Sequence, residues 1–91
     1  MTVHRLKIYP DYYYDICSGK KTAEIRLDDR DYNVGDTLYL CPWTAATGYT
    51  DDPFVCVRIT HILKSTDFPG LSPGFSLLSF HVFAFDRGES K

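Results

Sequence analysis

Apolar and polar residues alternate along much of this 91-residue chain, which is the pattern of strands with one buried face. A helix is predicted after the first strand, because Pro10 fits a first helical position, Asp11 complements the helix dipole and Gly19 suits the residue after a helix. The pattern therefore predicts an α+β, mainly β fold, with one N-terminal helix and a small mixed or closed sheet. The five predicted strands cover residues 3 to 8, 22 to 27, 37 to 41, 54 to 63 and 75 to 85.

The second predicted strand carries charged side chains at alternate positions. Its apolar residues, Ala23, Ile25 and Leu27, share one face, which we expect to pack on the core. Side chains two apart on a strand face lie about 7 Å apart, so Glu24 and Arg26 on the other face can pair. Lys21 precedes the strand and can bend over the same surface. The alternative is an exposed strand face with an ordinary ion pair, worth at most about 1 kcal/mol.

A loop with two aromatic residues is predicted between the third and fourth strands. Pro42 predicts the end of the third strand, and Gly48 is the expected bend of residues 43 to 52. Trp43 and Tyr49 flank this loop. They can form a platform on which bases stack, although aromatic residues at the base of a hairpin more often close a core.

Length and composition fit one domain, residues 1 to 85, with a flexible polar tail at residues 86 to 91. No apolar segment approaches the roughly 20 residues of a membrane span, and the start of the chain lacks a signal-peptide pattern. We therefore expect a cytoplasmic protein with no membrane association. The odd number of cysteines, three, and their wide spacing argue against a disulfide framework or a zinc site. We expect buried thiols, no metal and no cofactor.

The net charge of −2 argues against an extended basic surface that binds nucleic acid. The basic residues are unevenly distributed, however, since four of the ten lie within eleven positions: Lys20, Lys21, Arg26 and Arg30. This cluster predicts a local basic cleft, which the three aspartates beside it would weaken.

The segment GKKTAEIR places Gly19, Lys21, Glu24 and Arg26 in the order GxKxxExR. With this signature the chain resembles the ASCH domain family, and over roughly residues 4 to 80 it is similar to a short ASCH-like subfamily of phages and bacteria. The resemblance implies a PUA-like β-barrel of about five strands, with the helix packed beside the motif strand. It also implies a cleft at the motif and RNA or a nucleotide as the partner.

On this resemblance, Lys21, Arg26 and Arg30 would meet phosphates, while Glu24 would accept from an exocyclic amine or hold the cations in position. The full predicted ligand-binding set is Lys20, Lys21, Glu24, Arg26, Arg30, Trp43 and Tyr49.

Two alternatives to RNA binding stay open: a small hydrolase that acts on a modified nucleoside or an RNA phosphodiester, and a protein-interaction domain. Some small ASCH proteins deacetylate N4-acetylcytidine with the motif lysine, a threonine at the position of Glu24 and a later glutamate. Lys21 matches, but Glu24 replaces the threonine and no glutamate follows residue 63 before Glu89, so this mechanism does not transfer intact. For RNA phosphodiester cleavage, Lys21 and Arg26 would stabilise the pentacoordinate phosphate, and Glu24 or a tyrosine such as Tyr32 would move protons. The other alternative is a phage protein-interaction domain, in which Glu24 and Arg26 only brace the helix exit.

Overall fold

The computed structural model describes residues 1 to 86 and confirms the predicted α+β, mainly β fold with one N-terminal helix. In chain order the elements are β1 (Val3–Ile8), α1 (Pro10–Cys17), β2 (Ala23–Leu27), β3 (Thr37–Thr44), β4 (Gly48–Tyr49), β5 (Phe54–Lys64) and β6 (Phe75–Asp86). Asp86, the first residue of the predicted tail, belongs to β6 and lies opposite Phe54. The rest of that tail, residues 87 to 91, lies outside the described residues.

The strands form one open sheet in the order β1-β3-β5-β6-β2, with the short β4 attached to β3. β1 runs parallel to β3, and the other pairs are antiparallel. β1 and β2 therefore lie at opposite ends of the strand order, and no ladder closes the described sheet into the predicted barrel. One side chain joins these two edge strands, because Arg26 of β2 donates a hydrogen bond to the carbonyl oxygen of Lys7 in β1 at 2.6 Å.

The core consists of the inward residues of β1, β3, β5 and β6, one face of α1, and Tyr32 from the segment before β3. In the helix, Tyr13 and Ile16 supply that face, and α1 packs chiefly on β3 and β5. The Tyr13 hydroxyl donates to the carbonyl oxygen of Pro53 at 2.7 Å. The helix is thereby fixed on the sheet, and its C-terminal end leads into the motif strand β2.

Strand β3 continues through Pro42, which was wrongly predicted to end it. Pro42 lies opposite Ile8 of β1, and its carbonyl oxygen accepts from the amide of Thr50 at 3.1 Å. Pairing with β5 stops earlier, at Leu40. Proline lacks only the amide hydrogen, so it fits a strand position beyond the end of that pairing. As a result, Trp43 lies in a strand and not in a loop.

A buried polar cluster joins the start of the chain to the turn before β3. Asp36 is 2% exposed and accepts from the amides of Thr2 and Asn33, both at 3.1 Å. Its carboxylate also contacts His4, whose Nε2 lies 2.9 Å from Oδ2. Burial alone raises the pKa of Asp36, but the hydrogen bonds from His4, Thr2 and Asn33 outweigh it and hold the pKa below its ordinary value.

The cysteines occupy packing positions, since Cys41 and Cys56 are buried as predicted, Cys17 is half-buried, and all three are free thiols. Across residues 1 to 86, no three His, Cys, Asp or Glu side chains come together as metal ligands would. Within the same residues, no helix has the length and apolar character needed to cross a bilayer.

Candidate functional site

Strand β2 turns its charged face inward and its apolar face outward, the reverse of the prediction. Glu24 is 8% exposed, whereas Ile25 is 56% and Leu27 is 51% exposed. Among the described residues, β2 is an edge strand that pairs only with β6, and Glu24 lies opposite the fully buried Leu78. The inward orientation of a carboxylate is costly unless cations and hydrogen bonds compensate it. The alternative of an exposed strand face with an ordinary ion pair is therefore wrong.

Two cations hold the Glu24 carboxylate. Arg26 Nε donates to Glu24 Oε2 at 2.8 Å, and a terminal nitrogen of the same guanidinium lies 2.6 Å from that oxygen. Lys21 Nζ lies 3.6 Å from the other oxygen, Oε1. Since the Arg26 guanidinium also donates to the Lys7 carbonyl, the cluster is tied to both edge strands.

The end of helix α1 places Lys21 at this cluster. Gly19 has a φ of +82°, in the left-handed region, and its amide donates to the Ile16 carbonyl at 3.1 Å. The amides of Lys20 and Lys21 both donate to the Asp15 carbonyl, at 2.9 and 3.0 Å. Gly19 therefore ends the helix as predicted, and the chain reverses into β2 with Lys21 over Glu24.

We expect Gly19→Ala to lower the free energy of unfolding by about 1 to 2 kcal/mol, because a side chain is strained in the left-handed region. No atom lies within 4 Å of the added Cβ, so the effect reports backbone strain and not a clash. Urea denaturation measures it. Gly19→Asn is the matched variant and should lose less, since asparagine tolerates this conformation better. An alanine variant as stable as the unmodified protein would contradict this account of the helix end.

A cavity of about 520 Å³ lies over the ion cluster, between the edge strands β1 and β2. Lys7 of β1, Tyr12 of α1 and Trp43 of β3 contribute to its walls. Lys7 Nζ lies 4.3 Å from the centroid of the Trp43 ring, and Lys21 Nζ lies 5.2 Å from that of Tyr12. We call this space the motif cavity. It combines ammonium groups, aromatic rings and one fixed carboxylate.

A second cavity of about 760 Å³ adjoins the motif cavity and shares Lys7, Arg26 and Leu27 with it. We call it the adjoining cavity. Arg30 and the 60% exposed Tyr49 contribute to its walls. A broad opening thus extends from the helix end to the turn before β3, with Arg26 in the wall common to both parts.

The structure brings six of the seven predicted ligand-binding residues to these two cavities. Lys21, Glu24, Arg26 and Trp43 line the motif cavity, while Arg26, Arg30 and Tyr49 line the adjoining one. Lys20 is exposed and lines neither. Trp43 and Tyr49 lie directly opposite each other in the β3–β4 pair.

Sequence reasoning missed Arg5, Lys7 and Tyr12 as site residues. Arg5 and Lys7 share one face of β1 with Val3, and two cations on one strand face were the available signal. Tyr12 of α1 is 49% exposed, whereas the adjacent Tyr13 is buried. The helical spacing alone fits either tyrosine.

Fold and site together define a small mainly β domain with one open sheet and a charged, aromatic-lined cleft at its two edge strands. Residues 3 to 80 match the model of a family described as a domain of unknown function, DUF3850, and the chain belongs to this family. The family match does not confirm the resemblance to ASCH domains, which stays a prediction.

One comparison gives a relative of this domain in sequence, and another gives a solved structure with a similar fold. An uncharacterized 12.9 kDa protein in the GpA 3′ region of Escherichia phage P2 is 37% identical over 65 residues, which are 71% of this chain. The match spans only 58% of that phage protein. The crystal structure of hypothetical protein PH0355 superposes with a TM-score of 0.59, covering 91% of this chain and 100% of that one. At 14% identity, this likeness shows the fold alone.

Proposed function

We propose that this protein binds single-stranded RNA, or a nucleotide, in the motif cavity. One observation carries the proposal: Glu24, 8% exposed, is held by Lys21 and Arg26 at a cavity that also contains aromatic rings. A buried carboxylate is costly to keep, and a structural brace alone needs no open cavity beside it.

The groups of the motif cavity match the parts of a nucleotide. The ammonium groups of Lys7 and Lys21 are suited to phosphate oxygens. The rings of Trp43 and Tyr12 offer faces on which a base stacks. The volume of about 520 Å³ lies within the roughly 300 to 1,000 Å³ of small-molecule sites, so one nucleotide fits.

Single-stranded RNA fits the charge of the protein better than a duplex does. A net charge of −2 does not provide the extended basic surface that a duplex backbone needs. Proteins that read single strands take unstacked bases into pockets, with a few local phosphate contacts. The resemblance to the ASCH family, related to RNA-binding PUA-like domains, supports the same partner.

The test is an anisotropy titration of a labelled, mixed-sequence single-stranded RNA at about 50 and 200 mM salt. We expect the affinity to fall as salt rises. Lys21→Ala should weaken binding about tenfold and should reduce the slope of log affinity against log salt concentration by about 0.7, because one phosphate contact is lost. Arg58→Ala is the matched control. Arg58 is an exposed cation that lies 4.7 Å from the Phe83 ring, and it lines neither cavity.

We expect Arg58→Ala to leave the affinity within about twofold of the unmodified protein. Equal losses in the two variants, or no binding at low salt, would contradict the proposal.

The same preparations test the hydrolase alternative when they are incubated with N4-acetylcytidine and with RNA. The two side chains that hold Glu24, Lys21 and Arg26, are cations of the kind that bind phosphate. We therefore favour binding without turnover. A reaction rate that falls in Lys21→Ala would favour the hydrolase instead.

A further inference from the structure

The adjoining cavity has the same kinds of groups as the motif cavity. It holds the cations Arg5 and Arg30 against one carboxylate, Asp29, and it holds the exposed ring of Tyr49. Its volume of about 760 Å³ also lies in the range of small-molecule sites. The space beyond the motif cavity is therefore chemically suited to a second anionic, aromatic group.

The wall between the two cavities carries positive charge. Lys7 and Arg26 line both spaces. The Arg26 guanidinium contacts Glu24 on its own strand and donates to the Lys7 carbonyl across the opening. An anion bound at this wall would meet two cations and would have a cavity on either side of it.

The hairpin of β3 and β4 supplies one ring to each cavity. Trp43 lines the motif cavity and Tyr49 lines the adjoining cavity, yet they are directly opposite residues of one strand pair. Side chains at such positions start about 5 Å apart. Two rings this close suit two flat groups joined by a short linker.

We propose that the adjoining cavity binds the nucleotide next to the one in the motif cavity, so that the protein takes two consecutive nucleotides of a single RNA strand. Lys7 and Arg26 contact the phosphate between them, and Tyr49 stacks on the second base. This inference rests on the proposed function, and it assigns the length of ligand that the opening takes.

The experiment is an NMR titration of the isotope-labelled protein with four sets of probes. They are the ribonucleoside 5′-monophosphates, the 5′-diphosphates, the 5′-phosphorylated homodinucleotides and the corresponding trinucleotides. We expect a dinucleotide to bind at least about fivefold tighter than the monophosphate of the same base, because a second base stacks. The diphosphate adds a phosphate without a second base and should not reproduce this gain. A third nucleotide should add less than about twofold.

Variants separate the two cavities. Tyr49→Ala should lower the affinity for the dinucleotide at least about fivefold and leave the affinity for the monophosphate within about twofold of the unmodified protein. Tyr49→Phe keeps the ring and should bind both ligands as the unmodified protein does. Tyr12→Ala should weaken both ligands, because Tyr12 lines the motif cavity. Tyr49 and Tyr12 are 60% and 49% exposed, so neither substitution removes a buried ring.

The outcomes distinguish this inference from the proposed function. If the dinucleotide binds no tighter than the diphosphate, or if Tyr49→Ala weakens both ligands equally, the two-nucleotide site is wrong and nucleotide binding stands. If none of the probes shifts any resonance, both proposals are wrong. A dinucleotide gain that Tyr49→Ala removes supports both.

Discussion

Asp36→Ala should lower the free energy of unfolding by about 3 to 5 kcal/mol at neutral pH, which is a large part of the stability of a small domain. Asp36 is 2% exposed, and its removal leaves the amides of Thr2 and Asn33 and the ring of His4 without their common acceptor. Buried donors that lose an ionised partner keep the full cost of their desolvation. Urea denaturation at pH 7 measures the loss.

Two matched variants sharpen this measurement. Asp36→Asn keeps an oxygen for the Thr2 amide and should cost less than Asp36→Ala. Asp31→Ala removes an exposed carboxylate nearby and should stay within about 0.5 kcal/mol of the unmodified protein. If Asp36→Ala cost no more than Asp31→Ala, the cluster would not hold the start of the chain.

The same carboxylate predicts how stability depends on pH. Its pKa in the folded protein lies below the ordinary value of 3.8, because the hydrogen bonds from His4 and the two amides outweigh burial. The stabilisation is therefore complete above the unfolded pKa and is lost as pH falls through the lower folded pKa. Below pH 4, the unmodified protein should lose stability more steeply than Asp36→Asn. Parallel pH profiles would show that Asp36 is not the group responsible.

Glu24→Ala should lower the free energy of unfolding by about 2 to 4 kcal/mol, because Lys21 and Arg26 would then lie near each other without an anion. This loss is smaller than the loss expected for a fully buried ion pair, because the side chains of Lys21 and Arg26 are 27% and 22% exposed. Thermal and urea unfolding measure the loss. Glu24→Ala combined with Arg26→Ala should lose less than the sum of the single variants.

Glu24→Gln separates a binding role from a bracing role. Glutamine keeps an oxygen for Arg26 Nε and removes the charge, so the variant should fold at low temperature. If its RNA affinity falls while its fold is intact, Glu24 contributes to binding. If RNA binding is absent in the unmodified protein and Glu24→Gln unfolds the domain, the alternative of a protein-interaction domain with a structural motif gains support.

Periodicity located most elements because most strands pack on one continuous core. In β1, for example, His4, Leu6 and Ile8 alternate with Val3, Arg5 and Lys7, and His4, Leu6 and Ile8 are buried. The helix bounds followed from the residues at its two ends. Each of these predictions needs only local chemistry and one buried face.

The orientation of β2 could not be predicted in the same way. Alternation identifies the strand but does not show which of its faces is inward. The face with Ile25 and Leu27 was predicted to pack on the core because it is apolar. That prediction failed because β2 is an edge strand whose inward carboxylate is compensated by cations from its own segment. That compensation depends on the positions of Lys21 and Arg26 in three dimensions.

The charged part of the site was predictable only where it is local. Lys21, Glu24 and Arg26 lie within six residues and were found together, whereas Lys7 and Tyr12 come from β1 and α1. No spacing pattern shows that β1 and β2 end up as facing edges of one open sheet, because that follows from the order β1-β3-β5-β6-β2. The continuation of β3 past Pro42, which carries Trp43 to the cavity, depends on the same order.

Within residues 1 to 86, the link between the two edge strands is a guanidinium and not a run of backbone hydrogen bonds. Rotation of one side chain, Arg26, can therefore change the width of the mouth while every strand pairing stays intact. A substitution at Arg26 would widen the mouth and would also leave the inward carboxylate of Glu24 with the more distant Lys21 as its cation, so the width of the opening and the stability of the fold are coupled at this position.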